Sequence, residues 1–166
     1  MKIDKELKGL AKSFTFAFRG IKKCIISERN MRIHIVITIF TLIFSLFYDF
    51  SKTQYILLLL TISSVIATEI MNTAVEAVVD LVSPSYNKLA QIAKDIAAGA
   101  VFVSAIFAVA VGLILFFNIN KFIEIINFFT SRPILIIVLI SAIILGFIFI
   151  FKGTNFFNKN KYKGKK

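Results

Sequence analysis

The stretch Tyr55-Ile-Leu-Leu-Leu-Leu-Thr-Ile-Ser-Ser-Val-Ile-Ala-Thr-Glu69-Ile-Met-Asn72-Thr-Ala-Val-Glu76-Ala-Val-Val-Asp80 decides what kind of fold this chain can have. Its first half is mostly apolar, as a segment held in hydrocarbon must be. Its second half keeps that background but sets Glu69, Asn72, Glu76 and Asp80 at steps of three, four and four. At the helical 100° per residue these four project at about 0, 300, 340 and 20°, an arc of about 80°. One helix therefore carries a greasy body and, toward one end, a polar stripe roughly 16 Å long. Ionisable side chains in or near hydrocarbon are costly and rare unless partners, water or ions meet them. The stripe demands cations.

The rest of the chain agrees with a membrane setting. Of 166 residues, 58% are apolar and 17% charged, with a mean hydropathy of +0.85. Soluble domains run at roughly 45–50% apolar and about 25% charged, and a domain this small cannot bury such an excess. Nineteen Phe and no Trp add to it. A water-soluble globule is excluded. The formal charge of +11 is read as attraction to anionic headgroups and as a topology signal, not as nucleic-acid binding. The single cysteine, Cys24, excludes an internal disulfide framework and any cysteine-rich metal site. Residues 1–32 hold nine Lys and Arg without an uninterrupted apolar run, so no secretory signal is expected there.

Working outward, residues 2–26 read as an amphipathic helix. Ile3, Leu7, Leu10, Phe14, Ala17, Ile21 and Cys24 form one stripe, with Lys and Arg at other positions, the pattern of a helix lying in the membrane interface. Four apolar runs follow: Ile33–Tyr48, which is slightly short, Tyr55–Val79, Ile96–Phe117, and Ile134–Phe151 just after Pro133. They predict four spans. Alternating connections then place seventeen Lys and Arg on one face and three on the other, which makes the first face cytoplasmic. The connection 118–132 carries Ile119, Phe122, Ile126 and Phe129 at helical spacing and is expected to lie on the surface.

On the cytoplasmic face three polar clusters gather: the stripe, Ala93-Lys94-Asp95 across the next loop, and Ser27-Glu28-Arg29-Asn30 before the first span. Carboxylates with Asn and Lys suit Mg²⁺ bound together with phosphates, because Mg²⁺ takes oxygen ligands and few of them from protein. The deepest carboxylate, Glu69, is placed to accept a proton from a membrane-dissolved hydroxyl. Pairing of the acids with Lys and Arg merely to fix helix packing explains three acids on one stripe poorly. For Asn72 an interhelical hydrogen bond is an equally natural use. His34, at the mouth of the first run, reads as a satisfied interfacial histidine. Ala97, Ala98, Gly99 and Ala100 read as close helix packing.

The pattern Glu69-x-x-Asn72-Thr-Ala-x-Glu76-Ala-x-Val-Asp80-Leu, with Ala93-Lys94-Asp95 and Ala98-Gly99-Ala100, resembles the bacterial integral-membrane diacylglycerol kinase family, which includes the undecaprenol kinases of Gram-positive bacteria. Ser13-Phe14, Phe18-Arg19-Gly20-Ile21, and Glu28-Arg29-Asn30 with His34 resemble its amino-terminal elements, so that the likeness covers about residues 8–117. The resemblance implies transfer of the ATP γ-phosphoryl group to a lipid alcohol with Mg²⁺, by a homotrimer of three-span subunits whose active sites are shared. It implies an all-α membrane fold: an amphipathic helix over 1–32, a three-span core over 33–117, then a surface segment with a further span over 118–151, and a Lys-rich tail over 152–166. By motif position Glu69 is the catalytic base, Glu28 and Glu76 hold the metal, and Phe16, Glu28, Asn72, Glu76, Asp80, Lys94 and Asp95 contact the nucleotide. Ser13, Arg19 and Glu69 meet the lipid.

Two departures stand out. Where the family carries an early arginine this chain has Gly9, with Lys8 and Lys12 nearby; a lysine can meet a phosphate only as a point charge. The fourth span and tail exceed the three-span plan. The elements around Glu28 and Lys94 are closer to the Gram-positive members, which favours undecaprenol over diacylglycerol. A small four-helix proton-coupled transporter is the alternative of a different class, but it leaves Glu28, Lys94 and Asp95 without a purpose. No Gly-x-x-x-x-Gly-Lys-Ser/Thr run is present, which excludes a P-loop kinase.

Overall fold

The computed structural model describes the backbone of residues 2–161 and the side chains of residues 6–152. The described residues form six helices in chain order: α1 (Lys2–Ser27), α2 (Arg29–Ser45), α3 (Lys52–Val82), α4 (Lys88–Phe116), α5 (Ile119–Thr130) and α6 (Pro133–Lys161). Among the described residues there is no strand. The side chains of the lysine-rich tail from residue 153 onward lie outside the described residues.

Local chemistry sets the boundaries. Ser51 starts α3 with a capping box: its Oγ accepts from the Gln54 backbone N–H (3.3 Å), and its own N–H donates to Gln54 Oε1 (2.8 Å). Asn87 Oδ1 accepts from Leu89 and Ala90 N–H to open α4, and Asn118 Oδ1 does the same for Asn120 and Lys121 at α5. Pro133 opens α6, where its missing N–H costs nothing. Removing the α3 cap with Ser51→Ala should cost about 1 kcal/mol of stability and leave turnover intact, checked by reversible unfolding of the purified protein and by its activity.

Among the described residues three helices are long and apolar enough to cross a membrane: α3, α4 and α6 over Pro133–Lys152. The first expected span, Ile33–Tyr48, differs. Its helix, α2, has 17 residues, about 26 Å at 1.5 Å per residue, against roughly 30 Å of hydrocarbon. It stops because Leu46, Phe47 and Tyr48 turn back onto the Ile43, Phe44 and Ser45 carbonyls. Even so, α2 runs from one end of the bundle to the other. Its start meets the α6 carboxyl-terminal half through Arg32 Nε and the Ile150 carbonyl (3.0 Å), and Tyr48 Oη beyond its end donates to the Phe116 carbonyl of α4 (2.9 Å).

The dominant packing is the antiparallel α3–α4 pair, joined at mid-length by Thr68 Oγ1 and Ser104 Oγ, 2.8 Å apart. The end of the bundle away from α1 is an aromatic belt. Tyr48, Phe50, Tyr55 and Phe116 meet at ring separations of 5.0–5.6 Å, the usual furniture of a membrane–water boundary. Helix α5, on the residues whose apolar spacing is helical, packs at this end. Ile125 is buried, and Phe128 and Phe129 pack on Phe47. Lys121 pairs with Asp49 (3.0 Å) and Glu124 (3.1 Å), and these hydrogen bonds, Asp49 first, hold its ammonium above its ordinary pKa.

Candidate active site

The polar stripe lies at the opposite end, and its burial is graded. Glu69 is 1% exposed and Asn72 8%, Glu76 is half-buried and Asp80 is exposed. Counting 1.5 Å per residue from Lys52, Glu69 stands about 26 Å along α3 and Asp80 about 42 Å. An apolar layer of about 30 Å counted from Lys52 would end just past Glu69, with Asp80 beyond it. The helix thus carries a carboxylate from the lipid tails to the water.

Contacts along the stripe leave specific atoms free. Asn72 Nδ2 donates to Glu76 Oε1 (3.0 Å), while Asn72 Oδ1 is buried without a partner. Glu69 Oε2 is likewise buried without one. Unsatisfied buried oxygens are rare in native proteins and call for a ligand, a proton or an ion. Lys94, from the first turns of α4, forms an ion pair with Asp80 across the α3–α4 loop, with Glu76 in electrostatic reach. Asp95 beside it is exposed.

The third cluster arrives with the end of α1. Cys24 is 3% exposed and hydrogen-bonds Thr73 (3.2 Å), whose Oγ1 donates to the Glu69 carbonyl (3.0 Å). This pins α1 over α3 one turn from Glu69. Burial pushes the Cys24 thiol above its ordinary pKa; the Thr73 hydrogen bond lowers it in part, and the charges of Glu28 and Glu69 raise it. Glu28 and Glu76 both lie in electrostatic reach of Glu69. Glu28 is half-buried at the α1–α2 junction, in extended backbone (φ −101°, ψ 124°), and its side chain makes no cap bond.

Glu28, Glu69, Asn72, Glu76, Asp80 and Lys94 are thus brought to one end of the bundle. Ser13, Phe16 and Arg19 are not. Every residue from 6 to 23 of α1 is exposed, and among the described residues no ion pair joins Arg19 to an acid. Ser13 Oγ donates to its own helix at the Gly9 carbonyl (3.2 Å), and Lys12 and Arg19 flank the Phe16 ring at 5.7 and 5.6 Å. Sequence reasoning missed Thr73 and Cys24 as partners, and it counted Arg32 only as a topological charge. Arg32 is 2% exposed; its position one turn after Glu28 and inside the approach to an apolar run was the available signal.

The donor set suits a hard divalent ion. Glu28, Glu76 and the free Asn72 Oδ1 offer oxygen, and the nearby Cys24 sulfur is engaged with Thr73 Oγ1. Among the described residues no three acidic, His or Cys side chains close on one point, so phosphate and water oxygens have to complete any shell, as Mg²⁺ sites allow.

Fold and site together define an all-α, multi-pass membrane protein with a carboxylate-lined cluster at one end of its bundle. Residues 15–116 match the model of the prokaryotic diacylglycerol kinase family, and the chain belongs to that family. It is a bacterial integral-membrane lipid kinase, a phosphotransferase. The chain is 37% identical over 111 residues to the undecaprenol kinase of Bacillus subtilis, covering 67% of this chain and 90% of that one. It is 42% identical over 101 residues to a diacylglycerol kinase of Synechocystis, 60% of this chain but only 58% of that relative, and 28% identical over 109 residues to the diacylglycerol kinase of Escherichia coli, 66% and 89% respectively. No solved structure matches the chain. Helices α5 and α6 lie beyond the family match.

Proposed function

We propose that the chain transfers the γ-phosphoryl group of ATP, bound with Mg²⁺, to undecaprenol at the cytoplasmic face of the membrane. The carrying observation is Glu69: a carboxylate at the inner edge of the apolar layer, buried, with Oε2 unengaged. A lipid hydroxyl can reach that depth, and water-borne groups can reach Glu76 and Asp80 above it. Glu69 takes the hydroxyl proton as the lipid oxygen bonds to phosphorus and ADP departs. Glu28 and Glu76 would hold the metal, which when bound would neutralise charge on the phosphates. Asn72 orients Glu76; Lys94 and Asp95 meet the nucleotide, with Asp80 holding Lys94 in place. The Lys and Arg that alternating connections assign to the α1 face, seventeen by sequence, support a cytoplasmic site.

The isolation of Ser13, Phe16 and Arg19 from the acids of their own protomer supports a homotrimer in which α1 of one copy completes the site of another. Its apolar stripe also favours this or the lipid interface, since Leu7, Leu10 and Phe14 are all more than half exposed. Undecaprenol is favoured by the 37% identity to the Bacillus subtilis enzyme, above the 28% to the diacylglycerol kinase of Escherichia coli over a similar span. Diacylglycerol is the second reading, favoured by the 42% identity to the Synechocystis enzyme.

The test is a kinase assay in detergent with labelled ATP, Mg²⁺ and each lipid in turn. Label should enter the polyprenol at least tenfold faster than the diglyceride. The opposite ratio makes this a diacylglycerol kinase, and no label with either, from folded protein, removes the kinase chemistry from this site.

A further inference from the structure

Arg32 is among the most buried side chains of the protein and has no part in the chemistry above. Its guanidinium joins three helices. Nη1 donates to the Ile25 (3.1 Å) and Ile26 (2.8 Å) carbonyls at the end of α1, and Nε donates to the Ile150 carbonyl of α6 (3.0 Å). The last carbonyls of a helix lack intrahelical partners and favour a cation, so Arg32 caps α1 from within α2. Helix α6 is seated for this bond by Gly146, where an added Cβ would stand 3.1 Å from Val36 Cγ1 of α2. Glu28 is the one residue between α1 and α2, and no side-chain bond of its own holds it. Its place follows from the angle between these helices.

We infer that Arg32 and the appended helix α6 form a clamp that positions Glu28 toward the metal-bound nucleotide. Arg32 is a positioning residue, and α6, which lies outside the part of the chain shared with the family, is part of the enzyme's working geometry. The kinetic part of this inference rests on the role proposed above for Glu28. Cys24, the single cysteine of the chain and buried at the same junction, supplies a readout independent of activity: loosening α1 exposes the thiol.

Two variants test the clamp in the full-length protein. Arg32→Lys keeps the charge but cannot serve three carbonyls on two helices with one ammonium in the geometry of the planar guanidinium. Gly146→Val pushes α6 off α2, and Val36→Ala in the same chain makes room again. Both single variants should raise the KM for Mg·ATP at least fivefold, leave the KM for the lipid within twofold, and speed maleimide labelling of Cys24 at least fivefold. The Gly146→Val, Val36→Ala double variant should return both quantities to within twofold of the parent. Should Arg32→Lys not fold, the Gly146 pair carries the test. An unchanged KM for Mg·ATP, activity that merely follows the folded fraction, or a double variant without rescue overturns the inference. Glu28→Gln serves as control: if it too leaves the KM for Mg·ATP unchanged, the assignment of Glu28 fails, and thiol labelling alone then decides whether the clamp exists.

Discussion

Glu69→Gln should slow phosphoryl transfer by roughly two to four orders of magnitude, the range for loss of a positioned general base, while nucleotide affinity stays within about twofold. The two side chains have nearly the same shape, so packing around position 69 is kept. What changes is the proton. A carboxylate accepts it from the lipid hydroxyl as the oxygen attacks phosphorus; an amide oxygen is too weak a base. Position 69 is 1% exposed and Oε2 has no partner, so a neutral side chain is cheaper to bury than a charged one. The variant should therefore be at least as resistant to unfolding as the parent. Loss of turnover with retained or higher stability is a combination that a packing role cannot produce. Single-turnover rates, calorimetric nucleotide binding and an unfolding curve check it together. Turnover near the parental value would remove the base from Glu69.

The stripe could be read ahead of the structure because helical periodicity alone decides which residues share a face, and Glu69, Asn72 and Glu76 need nothing else to line up. The helices α1 and α5 were legible for the same reason. Contacts set by distant helices were not. Arg32 looks like a topological charge until α6 arrives, 118 residues later, with the Ile150 carbonyl. Cys24 reads as one more apolar position until Thr73, 49 residues on, meets its sulfur. The short reach of α2 was visible in its run length, but the reason it stops, the turn of Leu46 to Tyr48 onto its last carbonyls, is a backbone event with no side-chain pattern. Ser13, Phe16 and Arg19 fail to join the acids for a different reason. Residues on an exposed helix can be assigned to a site by motif, yet a single protomer supplies nothing to bring them there.

Glu76→Gln should weaken nucleotide binding in the presence of Mg²⁺ by at least about tenfold, the lower end of what loss of supporting groups costs a metal site, with a matching rise in KM for Mg·ATP. Glu76 is held by Asn72 Nδ2 on Oε1 (3.0 Å), which leaves Oε2 as the oxygen available to a metal. A glutamine can take that hydrogen bond with its one carbonyl oxygen, but it then presents an NH₂ group where the metal needs an anion. Turned over, it sets two NH₂ groups against each other. Either way the site loses a charged oxygen donor, and Asn72 loses its orientation or Glu28 is left as the sole carboxylate on the metal. The effect should vanish when Mg²⁺ is removed with chelator, because parent and variant then bind nucleotide equally weakly. If the two proteins differ as much without Mg²⁺ as with it, Glu76 acts on the nucleotide directly, and the metal role passes to other residues.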